Sequence, residues 1–265
     1  MNIKSDSRKI NPGDIFIALE YINDGHKYIL DAIEKGASKV IVKEGLYSVD
    51  TLVVKDTHEY LVNYLKENYW NEIKGLKIIG MTGTNGKTTT CYLLHKVLNK
   101  LGKKASYIGT LGFYIDDKIR DLNNTTPDIL DIYEMLMESK ESGCEYVVME
   151  VSSHALSMNR VKGLEFDIAC FSNLTQDHLD YHKTMDNYLN EKQKLFKLLR
   201  NNRIAIINSD DSNFKNFIME DNNNISYGFS DSNYQITSYK ATLTGSSFII
   251  NNKDVYETKL LGRHN

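Results

Sequence analysis

A glycine-rich turn near residue 83 has the residue types that hold a nucleotide triphosphate. The apolar stretch Lys77–Gly80 is typical of a buried strand, and Gly83-Thr84-Asn85-Gly86-Lys87-Thr88 follows it before a helical pattern begins. Glycines let backbone N–H groups close around a phosphate, and the helix N-terminus adds partial positive charge. Lys87 is placed to reach the terminal phosphates, and the Thr88 hydroxyl to ligate Mg²⁺. We therefore predict a nucleotide-triphosphate site.

The match to the general phosphate-loop pattern is imperfect at one position. The first glycine of that pattern, G-x-x-x-x-G-K-[ST], would fall at Met81. The competing interpretation is a glycine turn between a strand and a helix with a chance lysine. The strand before the turn and the helical spacing after it favour the nucleotide site.

A second polar cluster follows the predicted strand Tyr146–Val151, at Glu150-Val151-Ser152-Ser153-His154. The carboxyl ends of strands in an open α/β sheet are where ligands bind. A Glu150 carboxylate beside a phosphate loop can hold Mg²⁺ directly or through water. For Ser152, hydrogen bonding to a ligand and capping of a solvated helix are equally compatible with the sequence.

Another cluster, Asn173–His182, places four ionisable groups within six residues just past a predicted strand. A neutral His178 there can ligate a metal or orient a carboxylate. A lone histidine would be structural, but the density of polar groups favours a functional site.

Two hydroxyls, Thr125 and Thr126, precede Pro127 at the start of a predicted helix. They either cap that helix or hydrogen-bond a polar substrate near its N-terminus.

The elements that position these residues form an α/β pattern. In residues 1–72 we predict strands at Ile15–Leu19, Lys39–Lys43 and Leu52–Lys55, with helices at Tyr28–Lys35 and His58–Trp70. This alternation predicts a small α/β domain, with a boundary at the polar stretch 71–75.

The second predicted domain covers residues 76–265. Its helices are expected after the phosphate loop and at Asp128–Ser142 and Asp186–Leu199, and its strands at Lys77–Gly80, Tyr107–Ile115, Tyr146–Val151, Asp167–Asn173 and Arg203–Asn208. We predict a mostly parallel sheet with helices on both faces. From Ile225 onward, strand follows strand, which predicts an antiparallel edge or subsheet.

Composition narrows the class of protein. With 265 residues, a net charge of −3 and 25% charged residues, the chain is an ordinary globular protein with no bulk affinity for nucleic acid. Cys91, Cys144 and Cys170 lack metal-ligand spacing and are expected to be reduced, mostly buried thiols. No segment has the pattern of a membrane span or signal peptide, so we expect a cytoplasmic protein with no membrane partner.

Taken in order, these clusters resemble the Mur ligase family, specifically the branch that adds the third residue of the peptidoglycan peptide. The resembling segments are Thr82–Thr90, Thr125–Asp128, Glu150–Arg160, Asn173–His182 and Tyr188–Phe196. Asp6-Ser7-Arg8 and Asp24-Gly25-His26 resemble the family's UDP-binding N-terminal domain.

The resemblance implies an ATP-dependent amide ligase that joins L-lysine or meso-diaminopimelate to UDP-N-acetylmuramoyl-L-alanyl-D-glutamate. ATP phosphorylates the terminal carboxylate, and the amine of the amino acid attacks the acyl phosphate. The family's nucleotide-binding positions fall on Thr82, Gly83, Thr84, Asn85, Gly86, Lys87, Thr88, Thr89 and Asn173.

The resemblance also assigns metal and substrate roles. Lys87 would stabilise the transferring phosphoryl group, Thr88 and Glu150 would hold one Mg²⁺, and His178 a second. Lys192 aligns with a lysine that is carbamylated in the family and helps hold that second metal. The sequence pattern alone would make Lys192 an exposed helix lysine. The muramoyl-dipeptide would contact Thr125, Thr126, Ser152 and Arg160, and the UDP moiety would contact Ser7.

The chain ends at Leu260-Leu261-Gly262-Arg263-His264-Asn265, which resembles the motif closing the family's central domain. The resemblance therefore implies a truncated form that lacks the amino-acid-binding domain, and we expect a monomer with little or no ligase turnover. The alternatives are a non-catalytic remnant that binds nucleotide or UDP-sugar, or another Mur-type amide ligase such as a folylpolyglutamate synthase.

Overall fold

The computed structural model describes residues 1–20, 24–260 and 262. In the first part of the chain, short strands alternate with helices: β1 Ile3–Lys4, β2 Ile15–Ile17, α1 Ile29–Glu34, β3 Lys39–Val42, β4 Asp50–Val53 and α2 Thr57–Ile73. The Asp56 side chain begins α2 by accepting a hydrogen bond from the N–H of Glu59 at 3.0 Å. The predicted α/β alternation is confirmed here, with bounds that move by a few residues.

The segment after α2 contains the glycine turn and further strands and helices. Its elements are β5 Lys77–Thr82, α3 Lys87–Lys100, β6 Ala105–Gly109, β7 Gly112–Tyr114, β8 Lys118–Arg120, α4 Ile129–Glu141, β9 Tyr146–Glu150 and α5 Ser153–Ser157. The remaining elements are β10 Phe166–Phe171, α6 Leu179–His182, α7 Met185–Lys197, β11 Leu199–Asn208, β12 Asn223–Gly228, β13 Tyr234–Thr242, β14 Gly245–Ile250 and β15 Asp254–Thr258.

Contacts within the described chain divide it into two compact units. The first comprises Met1–Gly75, Asp128–Lys140 and Val161–Gly163, and the second comprises the remaining segments from Leu76 onward. The predicted functional domains, 1–72 and 76–265, stay a prediction.

The first unit is built on a parallel sheet with strand order β1-β2-β3-β4. Apolar side chains of β2, β3 and α1, including Phe16, Ile29 and Val40, are fully or almost fully buried in one cluster. Burying such side chains is the main favourable term in holding the layers together.

The second unit has a sheet with strand order β15-β14-β13-β12-β11-β10-β5-β9-β6-β7-β8. The strands from β13 to β6 in this order are parallel, so their carboxyl ends lie at one edge. Helices α3 and α7 pack on this sheet, as the predicted α/β class requires. The fold class is confirmed.

Antiparallel strands extend the sheet at both edges. The predicted antiparallel region begins later than Ile225, because β12 and β13 still pair in parallel and the antiparallel pairs are β13 with β14 and β14 with β15. At the other edge, β6, β7 and β8 are antiparallel, where the sequence predicted one strand region, Tyr107–Ile115. The two-residue turn Thr110-Leu111 separates β6 from β7, and Gly112 begins β7 with a φ of +121° that suits glycine.

No helix within the described residues is long and apolar enough to cross a membrane. The resemblance at residues 260–265 lies largely outside the described residues, which stop at 260 and resume only at Gly262.

Candidate active site

Loops that follow β5, β9 and β10 carry most of the predicted site residues. The register pairs Met81 with Glu150 on one side and with Cys170 on the other, so these strands end at the same level of the sheet. The loops therefore converge at the carboxyl edge, where open α/β sheets bind ligands.

The glycine loop between β5 and α3 depends on backbone conformations that suit glycine. Gly83 and Gly86 have φ values of +148° and +85°. A Cβ atom at Gly83 would overlap the Oγ of Ser172, and Gly86 is the N-cap of α3. The predicted strand, turn and helix are confirmed, and the N-terminus of α3 faces the loop that would hold phosphate.

The segment after β10 holds the glycine loop in place. Asn173 accepts the N–H of Thr84 at its carbonyl (2.8 Å) and the N–H of Asn85 at its Oδ1 (3.0 Å). Its Nδ2 donates to the carbonyl of Asn85, which also accepts the Ser172 hydroxyl at 2.7 Å. Asn173 thus lies against the loop, while its contact with a nucleotide stays a prediction.

Two lysines converge on one carbonyl of the loop. The Nζ of Lys87 donates to the carbonyls of Gly83 at 2.8 Å and Thr84 at 2.9 Å, and the Nζ of Lys192 donates to the same Gly83 carbonyl at 2.8 Å. Burial lowers the pKa of Lys87. Burial, together with the charge of Lys87, lowers the pKa of Lys192 to about 6.

The structure corrects the exposed position that the sequence pattern favours for Lys192. The residue is on the buried face of α7, with 1% of its surface exposed, and its Nζ lies 4.4 Å from the centroid of the Tyr188 ring. The residue type pointed to solvent because lysine is seldom buried, although the i+4 spacing from Tyr188 and to Phe196 places Lys192 on the apolar face of the helix.

Glu150, at the end of β9, is fully buried and receives donors at both carboxylate oxygens. The Tyr107 hydroxyl and the N–H of Thr110 donate to its Oε1, at 2.5 and 2.9 Å. The hydroxyls of Thr88 and Thr110 donate to its Oε2, at 2.8 and 3.3 Å. Hydrogen bonds to both oxygens offset the free-energy cost of burying a carboxylate.

The oxygen atoms at this position fit a magnesium ion. Thr88 Oγ1, on the first turn of α3, lies 2.8 Å from Glu150 Oε2, and both are hard oxygen atoms that can ligate a metal ion. Mg²⁺ prefers such oxygens and is bound by one or two protein groups beside substrate phosphates.

Thr126 joins the segment before α4 to the end of β9. Its side chain is fully buried, and its hydroxyl donates to the carbonyl of Glu150 at 2.9 Å while accepting the N–H of Ser152 at 3.0 Å. Ser152 caps α5 by accepting the N–H of Ala155 at 3.2 Å. The hydroxyl of Thr125 lies 3.0 Å from that of Thr110. The structure therefore brings these residues together around Glu150.

The other predicted residues occupy varied positions. Arg160 donates from Nη1 to the carbonyl of Thr126 at 3.2 Å. Thr82 is buried at the end of β5, and its hydroxyl has no hydrogen-bond partner among the described residues. Thr89 is exposed on the first turn of α3. Ser7 is a buried residue of the first compact unit.

His178 belongs to a cluster of aromatic rings on the loop after β10. Its backbone is left-handed, with φ of +52°, and its ring lies 4.7 Å from that of His154 and 6.2 Å from that of Tyr188. Burial and the charge of His178 lower the pKa of His154. The Tyr188 ring is thus a shared neighbour of His178 and of the Lys192 ammonium group.

Sequence reasoning missed several residues that shape this site. Tyr107 and Thr110 both donate hydrogen bonds to Glu150. The available signal was Gly109 at the end of β6, followed by Thr110, because a glycine at a strand end often permits a close approach.

Comparison with known proteins identifies the family of this fold and loop arrangement. Residues 81–265 match the Mur ligase middle domain, which covers more than half of the chain. The chain belongs to the Mur ligase family. The glycine loop, Glu150, His178 and Lys192 all lie within the matched residues of this Mur ligase chain.

Individual relatives agree with this assignment. The UDP-N-acetylmuramoyl-L-alanyl-D-glutamate–2,6-diaminopimelate ligase of Clostridium perfringens is 43% identical over 224 residues, covering 83% of this chain and 46% of the relative. The enzyme of the same name from Fusobacterium nucleatum is 40% identical over 276 residues, covering 97% of this chain and 56% of the relative. The Mur ligase chain thus spans about half the length of the curated relatives it matches.

A solved structure of an enzyme with the same name superposes with a TM-score of 0.83 at 30% identity, covering 99% of this chain and 56% of that one. The likeness extends over both compact units of the Mur ligase chain.

Proposed function

We propose that this chain carries the ATP-binding part of an ATP-dependent amide ligase acting on UDP-N-acetylmuramoyl-L-alanyl-D-glutamate. The observation that carries the proposal is the pairing of Thr88 with Glu150, 2.8 Å apart, beside a glycine loop that also contains Lys87. A hydroxyl and a carboxylate for Mg²⁺, and a lysine for phosphate, are the groups that phosphoryl transfer requires.

In this proposal, the loop from Thr82 to Thr89 and Asn173 bind ATP. Lys87 would leave its loop carbonyls and neutralise charge on the γ-phosphoryl group as it moves to the substrate carboxylate. The products of that transfer are an acyl phosphate and ADP. An amine then attacks the acyl carbon, phosphate leaves, and an amide bond forms. Mg²⁺ held by Thr88 and Glu150 would neutralise phosphate charge in the transfer.

We also propose that Lys192 is carbamylated and, with His178, holds a second Mg²⁺. The neutral amine of a lysine attacks CO₂ to form a carbamate with release of a proton. A pKa of about 6 supports this reaction, because Lys192 is mostly neutral at pH 7. Their shared contact with Tyr188 supports a common role for His178 and Lys192.

For the substrate, we propose that Thr125, Thr126, Ser152 and Arg160 bind the muramoyl-dipeptide portion and that Ser7 binds the UDP portion. The grouping of the first four residues near Glu150 supports the first assignment. We propose diaminopimelate as the amino acid that is added, supported by the names of the relatives. We further propose a monomeric enzyme that works in the cytoplasm.

Calorimetric titration tests the nucleotide site. We expect ADP to bind the unaltered chain more tightly with Mg²⁺ than without it, and UDP-N-acetylmuramoyl-L-alanyl-D-glutamate to bind independently of ADP. No ADP binding in either condition would contradict the proposal.

Activation of the carboxylate is tested by trapping. ATP, Mg²⁺ and the UDP-muramoyl dipeptide are incubated with hydroxylamine, which converts an acyl phosphate into a hydroxamate. Formation of hydroxamate and ADP in equal amounts supports the ligase. Binding of both ligands without hydroxamate, even when the remaining length of a relative is supplied as a separate chain, favours a non-catalytic binding protein instead. Replacement of the UDP-sugar dipeptide by a folate substrate distinguishes a folylpolyglutamate synthase.

A further inference from the structure

Tyr107 is a fully buried tyrosine whose hydroxyl is directed at a carboxylate rather than at solvent. It lies on β6, and its OH donates to Glu150 Oε1 at 2.5 Å. A tyrosine phenol carries its proton at neutral pH and a carboxylate oxygen can only accept, so Tyr107 is the donor of this hydrogen bond.

The strand register explains how Tyr107 reaches Glu150. Tyr107 pairs with Val148 on the parallel strand β9. Side chains alternate along strands, and paired residues point to the same face. Glu150 therefore lies on the face of Tyr107, one side-chain step farther toward the carboxyl edge.

The residue at that step on β6 is Gly109, and its lack of a side chain makes the contact possible. A Cβ atom at Gly109 would overlap both the Tyr107 hydroxyl and Glu150 Oε1. The tyrosine therefore extends along its own strand through the space above Gly109.

The ring of Tyr107 is held from its other sides by aromatic neighbours. Its centroid lies 5.6 Å from that of Tyr92 and 5.9 Å from that of Tyr114, both in edge-on geometry. Such pairs favour a defined orientation. The position of the hydroxyl is therefore set by packing and does not depend on Glu150 alone.

We propose that Tyr107 is a positioning residue that holds Glu150 Oε1 and so directs Oε2 toward Thr88 and a bound divalent cation. This inference rests on the proposed function of Thr88 and Glu150. Groups that orient metal-binding carboxylates commonly contribute tenfold or more to metal affinity. Tyr107 therefore sets the affinity for the metal ion while leaving nucleotide contacts to the glycine loop.

The test compares Tyr107→Phe with Tyr114→Phe. Both substitutions remove one hydroxyl from the same aromatic cluster, but no contact joins Tyr114 to Glu150 among the described residues. Mn²⁺ binding at saturating ADP is measured by electron paramagnetic resonance, and ADP binding without metal is measured by calorimetry. We expect Tyr107→Phe to weaken Mn²⁺ binding about tenfold, with metal-free ADP affinity unchanged, and Tyr114→Phe to alter neither.

Unchanged Mn²⁺ affinity in Tyr107→Phe would overturn the inference and leave Tyr107 a packing residue. An equal loss of Mn²⁺ affinity in Tyr114→Phe, or an equal loss of metal-free ADP affinity in Tyr107→Phe, would overturn it as well. Failure of the unaltered chain to bind ADP is a separate result, which contradicts the proposed nucleotide site before either variant is compared.

Discussion

Lys87 and Lys192 donate hydrogen bonds to one oxygen, the carbonyl of Gly83, each at 2.8 Å. Two ammonium groups on the same acceptor repel each other, and both are largely removed from water. The more deeply buried Lys192 responds with the larger decrease in pKa, to about 6. The arrangement therefore favours the neutral amine form of Lys192.

The low pKa of Lys192 predicts a pH-dependent stability. Between pH 6 and 10.5, the unfolded chain holds a proton on Lys192 that the folded chain has released. The free energy of unfolding therefore rises with pH across this window, by up to about 1.4 kcal/mol per pH unit for one proton. We expect Lys192→Met to flatten this rise, as measured by urea unfolding at a series of pH values in CO₂-depleted buffer.

Lys194→Met is the matched control on the same helix. Lys194 is half-buried and paired with Glu191 at 2.6 Å, and partly solvated ion pairs of this kind contribute little to stability. Its replacement should leave the pH dependence intact. A Lys192→Met variant with the slope of the unaltered chain would contradict the proposed neutral state.

Lys87→Met is expected to weaken ADP and ATP binding. A hydrogen bond to a charged group contributes about 1.5–3 kcal/mol, which corresponds to a loss of affinity of roughly tenfold to a hundredfold. Calorimetry with each nucleotide and Mg²⁺ measures the loss. Lys96→Met removes an exposed lysine of the same helix and should bind nucleotide normally. Equal affinity in both variants would count against a phosphate-binding role for Lys87.

The sequence predicts the strand, turn and helix around the glycine loop well because the signals for them are local. Gly83, Gly86 and Lys87 lie within five residues, and strand and helix signals flank them. The α/β alternation is likewise carried by short-range periodicity. The class of sheet and the edge that carries the site follow from these local signals.

The partners of Glu150 could not be predicted in the same way. Tyr107 and Thr110 are 43 and 40 residues away from it, and they meet it only through the register of β6 with β9. The burial of Lys192 did have a local signal, because the residue shares one face of α7 with Tyr188 and Leu195. The rarity of buried lysines outweighed that signal in the prediction.

Thr126→Val tests whether the Thr126 hydroxyl fixes the end of β9. The substitution keeps the shape but removes a donor to the Glu150 carbonyl and an acceptor for the Ser152 N–H. Leaving such buried groups unsatisfied costs about 1–3 kcal/mol each. We expect a decrease of that order in the free energy of unfolding, measured in urea, whereas Thr90→Val, on the exposed face of α3, should change it little. A stability equal to that of Thr90→Val would show that water or rearrangement replaces these bonds.

Gly83→Ala should damage nucleotide binding more than overall stability would explain. The new Cβ would overlap Ser172 Oγ, and φ of +148° is a region that side chains disfavour, so the loop must move away from the segment after β10. Gly102→Ala is the matched control, since Gly102 also has a positive φ of +74° but has open space where a Cβ would lie. Both variants carry backbone strain of order 1–3 kcal/mol, which thermal unfolding measures. We expect ADP affinity to fall in Gly83→Ala alone, and equal affinities in the two variants would refute the view that contact between the loop and Ser172 shapes the nucleotide site.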